Sequence, residues 1–226
     1  MSRATDLNGA ERWAAVDAYI EDHYTRSDAV AATVLENQRS AGLPDIAVSP
    51  AQGKLLSVLA RACDARRVLE FGTLGGYSTL WFARAVGPEG AVVTFELEQH
   101  HADVAMASLT QAGVGERVEV RVGPAVDNLS TLEGDDPFDL VFIDADKPNN
   151  LAYYQAAMTR VHPGTVIIVD NVVRDGGLID ADSEDPRIKG SRAIVEFVGA
   201  DVRVEASVVQ TVGAKFYDGM VIATVL

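Results

Sequence analysis

The segment FIDADKPNN sets Asp144, Asp146 and Lys147 where an apolar run stops, and TVIIVDN stops in the same way on Asp170 and Asn171. Two carboxylates and an amide carbonyl are all oxygen donors, the set that a hard divalent cation such as Mg²⁺ takes. Zinc, which favours nitrogen and sulfur, is poorly served by them. One Asp or Asn at a strand end is ordinary turn chemistry. Two such ends side by side are different, because clustered carboxylates repel unless a cation or a base joins them. Lys147 is the basic group at hand. The chain carries four lysines against 15 arginines, and only lysine can act as a base when its surroundings allow it to lose a proton. Lys147 and Asp144 are therefore the candidate catalytic pair. A surface ion pair of Lys147 with Asp146 is the plainer alternative.

A second chemical stretch is VLEFGTLGGYSTL. Gly72, Gly75 and Gly76 let a backbone turn sharply and approach a ligand closely. The helix starting near Tyr77 and Ser78 offers N–H groups to an anion. The spacing is G-x-x-G-G rather than the dinucleotide G-x-G-x-x-G, and a tight turn with no ligand is the competing reading. In VVTFELEQHH, Glu96 closes the next strand. An acid roughly 20 residues beyond a glycine-rich turn is placed to accept hydrogen bonds from ribose hydroxyls. Glu98 competes with it, since alternate residues of a strand share a face. His100 and His101 read as solvated residues at a helix start.

These stretches must be positioned by the elements around them. Helix-spaced apolar residues run through ERWAAVDAYIEDHY and SDAVAATVLENQR, and SAGLPDIAVSP breaks the pattern. From Pro50 onward helices and strands alternate: strands at RRVLEFG, AVVTFELE, VEVRVG, FDLVFIDAD and TVIIVDN, helices between them, then SRAIVEFVG as helix and RVEASVVQTVG and KFYDGMVIATVL as two last strands. Such alternation predicts an α/β fold with a seven-stranded, mostly parallel sheet and helices on both faces. The short link between the last two strands permits only an antiparallel pair, which predicts an antiparallel strand at the C-terminal end of the sheet. In open sheets of this kind ligands sit outside the carboxyl ends of the strands, where the strand order switches.

The 226 residues, 48% of them apolar, suffice for one sizeable core. A net charge of −14 repels phosphate backbones, so nucleic acid is not the expected partner. Cys63 is the only cysteine and lies in an apolar run, which excludes an intrachain disulfide framework. The N-terminus has no signal-type apolar core and no run is long enough to span a bilayer. The expectation is a soluble cytoplasmic protein without a membrane partner.

The four stretches VLEFGTLGGYSTL, VVTFELEQHHADVA, FIDADKPNN and VDNVVRDG occur in an order that resembles the cation-dependent class I O-methyltransferases, similar to the catechol and caffeoyl-coenzyme A types and nearest to their bacterial small-molecule branch. The resemblance runs from about Val48 to the C-terminus. It implies a Rossmann-like, doubly wound single domain over 1–226. Residues 1–45 would be a helical extension serving substrate cover and contacts in a homodimer. It also implies S-adenosylmethionine as cofactor. Glu70, Gly72, Thr73 and Ser78 would hold its methionine end beside Gly76, Glu96 its ribose and Gly123 and Ala125 its adenine, with Val48 covering it. Asp144, Asp170 and Asn171 would hold a divalent cation, expected to be Mg²⁺. Lys147 would be the base, Asn149 would help position a small aromatic hydroxyl acceptor, and Asp146 would serve the turn or pair with a basic neighbour. A nicotinamide-dependent oxidoreductase shares the fold logic and the ribose acid. A non-catalytic cofactor-binding module is the third reading, and the Asp144, Lys147, Asp170 and Asn171 set argues against it.

Overall fold

The computed structural model describes residues 8–25, 28–132 and 136–226. The remaining positions of the expected 1–45 extension, 1–7 and 26–27, lie outside the described residues. The extension begins with α1 (Gly9–Tyr24) and α2 (Ala29–Ser40). Asn8 and Glu11 close a reciprocal capping box at the start of α1, satisfying two otherwise unpaired N–H groups. Then α3 (Pro50–Ala62) starts on Ser49 and a proline suited to a first helical turn.

The alternating region follows: β1 (Arg67–Phe71), α4 (Tyr77–Ala85), β2 (Ala91–Glu96), α5 (Gln99–Gln111), β3 (Val118–Val122), α6 (Ala125–Ser130), β4 (Phe138–Ile143), α7 (Asn150–Ala157), β5 (Val161–Val169), α8 (Pro186–Ala200), β6 (Val204–Gly213) and β7 (Phe216–Val225). The seven strands form one sheet in the order β3-β2-β1-β4-β5-β7-β6. Strands β1 to β5 are mutually parallel, and β7 runs antiparallel to both of its neighbours. The antiparallel strand thus sits one place in from the edge rather than on it. β7 carries the buried run Gly219–Val221, whereas β6 is exposed along most of its length. Burying the more apolar strand is the favourable insertion.

Period-two alternation divides the core between the two faces of the sheet. Val68, Leu140, Phe142 and Ile168 pack with α3 and α4 on one side, through Leu56, Leu80, Trp81 and Phe82. Leu69, Phe71, Val141, Ile143, Ile167 and Val169 pack with α7 and α8 on the other, through Tyr154, Ile194 and Val198. The helix expected over NLAYYQAAMTRV ends early, at Ala157, and β5 begins already at Val161. Its pairing with β4 shifts register between Phe138 and Leu140. Thr165 secures that irregular stretch: its hydroxyl donates to the Phe138 carbonyl at 2.7 Å and accepts from the His162 N–H at 3.1 Å.

His162 also supplies a pH-dependent tie. Its Nε2 lies 2.9 Å from Asp139 Oδ1, and this hydrogen bond raises the His162 pKa above 6.5. Burial alone would raise Asp139, but hydrogen bonds from His162 and from the N–H groups of Arg67 and Arg66 outweigh it and hold the carboxyl below 3.8. A raised histidine stabilises the fold fully below its unfolded pKa, and that contribution disappears as pH rises through the folded value. The lowered Asp139 contributes above 3.8 and its share is lost on acidification. The pair should therefore stabilise most between about pH 4 and pH 6.5. Melting curves of His162→Gln are expected to lose the wild-type decline in stability above pH 6.5. A variant whose profile keeps that decline would refute the tie.

Candidate active site

Register decides which residues meet. Phe71 pairs with Ile143, and Ile143 pairs with Val169. The ladder continues one residue past each strand: Gly72 N–H donates to Phe95 O at 3.0 Å, Asp144 N–H to Phe71 O at 2.9 Å and Asp170 N–H to Ile143 O at 3.0 Å. Gly123 N–H donates to Glu96 O at 2.8 Å. Glu96, Gly72, Asp144 and Asp170 thereby form a row across the carboxyl ends of β2, β1, β4 and β5. The order reverses between β1 and β4, the place where the strand-order rule puts a ligand.

Gly72 shows why glycine is required in that row. Its φ of +100° is a conformation that L side chains rarely adopt, and a Cβ there would overlap the Asp144 carbonyl oxygen. Beyond it a cavity of about 550 Å³ follows the strand ends. Val48, Gly72, Thr73, Ser78, Glu96, Gly123, Ala125, Asp144 and Lys147 border it. Glu96 is the acid fixed for use and Glu98 is exposed. Glu96 Oε2 accepts from the Leu74 N–H at 2.8 Å, and Oε1 accepts from the Glu98 N–H at 3.0 Å with His101 Nδ1 at 3.3 Å. Thr73 is buried, with its hydroxyl 2.6 Å from that of Thr94.

Glu70 and Gly76 stand behind this wall rather than on it. The Glu70 carboxyl is buried and accepts from Ser78 Oγ at 2.6 Å and Thr79 Oγ1 at 2.5 Å. Burial drives its pKa up to about 7 against those hydrogen bonds. It fastens the first turn of α4 to β1. Gly76, at φ +83°, starts α4 and faces Ala105 and Leu109 of α5.

At the β4 end, Lys147 is only 7% exposed and its Nζ lies 2.6 Å from Asp144 Oδ1. Gly190 of α8 packs against the Lys147 carbonyl, so α8 clamps the turn that carries the lysine. Among the described residues Asp146 has no basic partner; it accepts from Asn149 Nδ2 at 2.5 Å and from the Tyr153 hydroxyl. It serves the turn, as one of the two expectations had it. Asn149 is turned toward Asp146, and the residues bordering the cavity include Pro148 and Tyr153 but not Asn149.

At the β5 end, buried Asp170 accepts at Oδ2 from Gln52 Nε2, 2.5 Å away, and at Oδ1 from the Asn171 N–H, 2.8 Å away. Burial and then the charge of Asp144 raise its pKa to about 7, with Lys147, the Asn171 N–H and Gln52 opposing. A second cavity of about 240 Å³ adjoins the first, bordered by Asp170, Gln52, Leu55, Lys215, Phe216 and Met220. Asp144 and Asn171 border both. Asp144 and Asn171 therefore stand where cleft and chamber meet, with Lys147 on the cleft side and Asp170 on the chamber side. Among the described residues no three His, Cys, Asp or Glu side chains gather as a metal-holding group. The set here is two carboxylates and one amide.

Several residues had no signature in the sequence. Gln52 reaches Asp170 from α3, and Lys215 Nζ donates to the Ala47 carbonyl at 2.6 Å, tying the Val48 loop to the last hairpin. Gln38 is buried at the rim of the cleft; its Nε2 donates to Pro44 O at 2.7 Å and its Oε1 has no partner among the described residues. Spacing cannot announce contacts made across the fold by single polar residues.

Comparison with known proteins places this geometry. The O-methyltransferase family profile matches residues 21–225. A catechol O-methyltransferase from Mycobacterium tuberculosis is 50% identical over 210 residues, covering 93% of this chain and 94% of that one. A catechol O-methyltransferase from Niastella koreensis is 44% identical over 212 residues, covering 93% and 96%. The crystal structure of an O-methyltransferase from Bacillus cereus in complex with SAH superimposes with a TM-score of 0.94 at 48% identity, covering 96% of this chain and all of that one.

Proposed function

The chain belongs to the O-methyltransferase family, and on that premise we propose that it transfers the methyl group of S-adenosylmethionine to a hydroxyl of a small catechol-like acceptor held by a divalent cation. The observation that carries this reading is the junction of cleft and chamber at Asp144 and Asn171, with Lys147 paired to Asp144 from the cleft side. The match extends through α2 and most of the chain, so the oxidoreductase alternative is set aside.

The cleft suits the cofactor. Its volume of about 550 Å³ is within the range of small-molecule sites. Glu96, held by two backbone N–H groups, presents its carboxylate for ribose hydroxyls. Gly72 leaves the backbone bare where the cofactor would pass, and Gln38 Oε1 offers a buried acceptor that no donor among the described residues uses. The SAH complex of the Bacillus cereus relative supports the same assignment.

The donor set suits a hard cation. Burial and then repulsion by Asp144 raise Asp170, and Asn171 adds an amide oxygen. Asp144, Asp170 and Asn171 would hold Mg²⁺. Such a cation, when bound, acidifies and orients the acceptor hydroxyl. The chain's own residues supply the rest. Lys147, fixed by Asp144 and by α8, takes the hydroxyl proton at Nζ. The Gly72 turn and Glu96 would hold the cofactor beside the acceptor, and aligning two bound partners lowers the barrier further. Val48 and Lys215 close the space between the sites and limit water.

The names of the Mycobacterium tuberculosis and Niastella koreensis relatives support a catechol as acceptor. Asp17 of α1 borders the chamber, which supports a role for the N-terminal helices in covering it. The exposed apolar side chains Val16 and Tyr19 of α1 and Leu55 and Val58 of α3 support a homodimer, which sedimentation equilibrium would read directly. No described helix is long and apolar enough to cross a membrane, and we place the protein in the cytoplasm. Purified enzyme is expected to methylate catechol with Mg²⁺, to stop in chelator and to recover on adding Mg²⁺, while still binding S-adenosylhomocysteine throughout. Asp170→Ala should behave like the chelated enzyme. Chelator-resistant turnover would remove the cation, and absence of S-adenosylhomocysteine binding would remove the whole reading.

A further inference from the structure

The segment after β5 is held in a costly shape. Asn171, Arg174 and Asp175 all have positive φ, at 55°, 54° and 55°. Non-glycine residues in this region are strained and persist where the surroundings over-determine them, often at ligand clamps. The surrounding device is Asp218 of β7. Its Oδ1 accepts from the N–H groups of Val173 at 3.0 Å, Arg174 at 2.9 Å and Gly219 at 2.9 Å. The Asp175 N–H adds a bond to Tyr217 O at 3.0 Å, and the Val172 N–H one to Gly219 O at 2.9 Å. The last hairpin thus pins the backbone of Arg174 three residues beyond Asn171.

The Arg174 side chain borders the cleft together with Lys147, Pro148, Asn171 and Arg187. Among the described residues its guanidinium makes no ion pair or hydrogen bond. Arg187, by contrast, is forked onto Asp185, with Nε 3.0 Å from Oδ1 and an Nη 2.6 Å from Oδ2. The carboxylate within reach of its charge is Asp185, which Arg187 already holds by hydrogen bonds. In a chain with a net charge of −14, a half-buried arginine with no directly bonded carboxylate is a specific placement. Asp146, which also borders the cleft, is engaged by Asn149 and Tyr153. An arginine presents a planar fork matched to a carboxylate.

We propose that Arg174 reads an anionic group on the acceptor, so that the preferred substrates are catechols bearing a carboxylate on a side chain. This rests on the methyl-transfer reading above. The acceptor's two oxygens would be fixed at the Asp144 and Asn171 end, and its acidic tail would lie toward Arg174. Asp218 acts through the backbone, as a positioning residue for that arginine.

The test compares three acceptors with the same ring and closely similar tails: dihydrocaffeate, its primary amide, and dopamine. Wild-type enzyme with saturating S-adenosylmethionine and Mg²⁺ is expected to give the highest kcat/KM on the carboxylate and the lowest on the amine. In Arg174→Gln the carboxylate-to-amide ratio should fall by about tenfold, the scale of one charge-assisted hydrogen bond. Arg174→Lys, which keeps the charge but not the fork, should retain part of the ratio. Equal wild-type rates on acid and amide would overturn the proposal, as would a ratio that survives in Arg174→Gln. A higher KM for S-adenosylmethionine with an unchanged ratio would also overturn it, by assigning Arg174 to the cofactor. If none of the three is methylated, the methyl-transfer reading has failed separately. Calorimetric binding of the same compounds to wild type and Arg174→Gln, with S-adenosylhomocysteine and Mg²⁺ present, then decides the charge preference alone. Circular dichroism melts identify a variant that has merely unfolded.

Discussion

A Lys147→Met enzyme is expected to retain S-adenosylhomocysteine binding and to turn over about 100- to 10,000-fold more slowly, the usual contribution of a positioned acid or base. The reasons are local. Lys147 is nearly buried, 2.6 Å from Asp144, and its turn is held by Gly190 of α8. It is the one lysine among the four that borders the cleft, and it pairs with Asp144 at the junction; Lys215 borders only the chamber and donates to Ala47 O. Methionine keeps the length of the side chain and removes the proton acceptor. The diagnostic is the pH–rate profile of single-turnover reactions. If Lys147 takes the proton, the variant should recover as alkaline pH ionises the acceptor hydroxyl unaided. Variant and wild-type rates that coincide across the pH range would strike Lys147 from the reaction.

Gly72→Ala should damage both fold and site. Alanine at φ +100° carries a backbone strain of about 1–3 kcal/mol. Its Cβ would overlap the Asp144 carbonyl oxygen, and overpacking of this sort costs about 1–3 kcal/mol more. Neither side can retreat easily, since Asp144 N–H is bonded to Phe71 O and Gly72 N–H to Phe95 O. A combined loss of about 3 kcal/mol predicts a melting temperature lower by about 6–12 °C in a domain of this size. S-adenosylhomocysteine and Mg²⁺ affinities should fall together, because the alanine pushes apart the Gly72 turn and Asp144, which we propose to hold the two ligands. An unchanged melt with normal affinity for both ligands would show that the junction of β1 and β4 relaxes freely.

The strand ends were legible because two simple patterns meet there. A run of Val, Ile and Leu that stops on Asp144 or on Asp170 and Asn171 reports both a buried strand and its exit. Gly72 and Glu96 are marked in the same way, and the alternation of elements makes the strands parallel, which brings their exits to one edge. Glu70 was legible as an acid in the first motif, but its partners were not: burial and two hydroxyl donors turn its carboxyl inward, to the start of α4. Asn149 likewise lies beside Lys147 in the chain and is turned to Asp146.

What the amino-acid sequence determined by itself was local: which segments are strands, where each one ends, and which oxygen, nitrogen and glycine groups stand at those ends. Propensity, periodicity and turn chemistry act over a few residues, so they can be read from a few residues. What only the tertiary structure decided was lateral. The insertion of β7 between β5 and β6 brought Asp218 against the strained turn at Arg174. The packing of α3 set Gln52 on Asp170 across a separation of 118 residues. A hydrogen bond between distant segments requires one donor and one acceptor of common types, which leaves no periodic trace in either segment. Its existence depends on the order of the strands, and that order follows from which apolar faces are buried in the whole molecule.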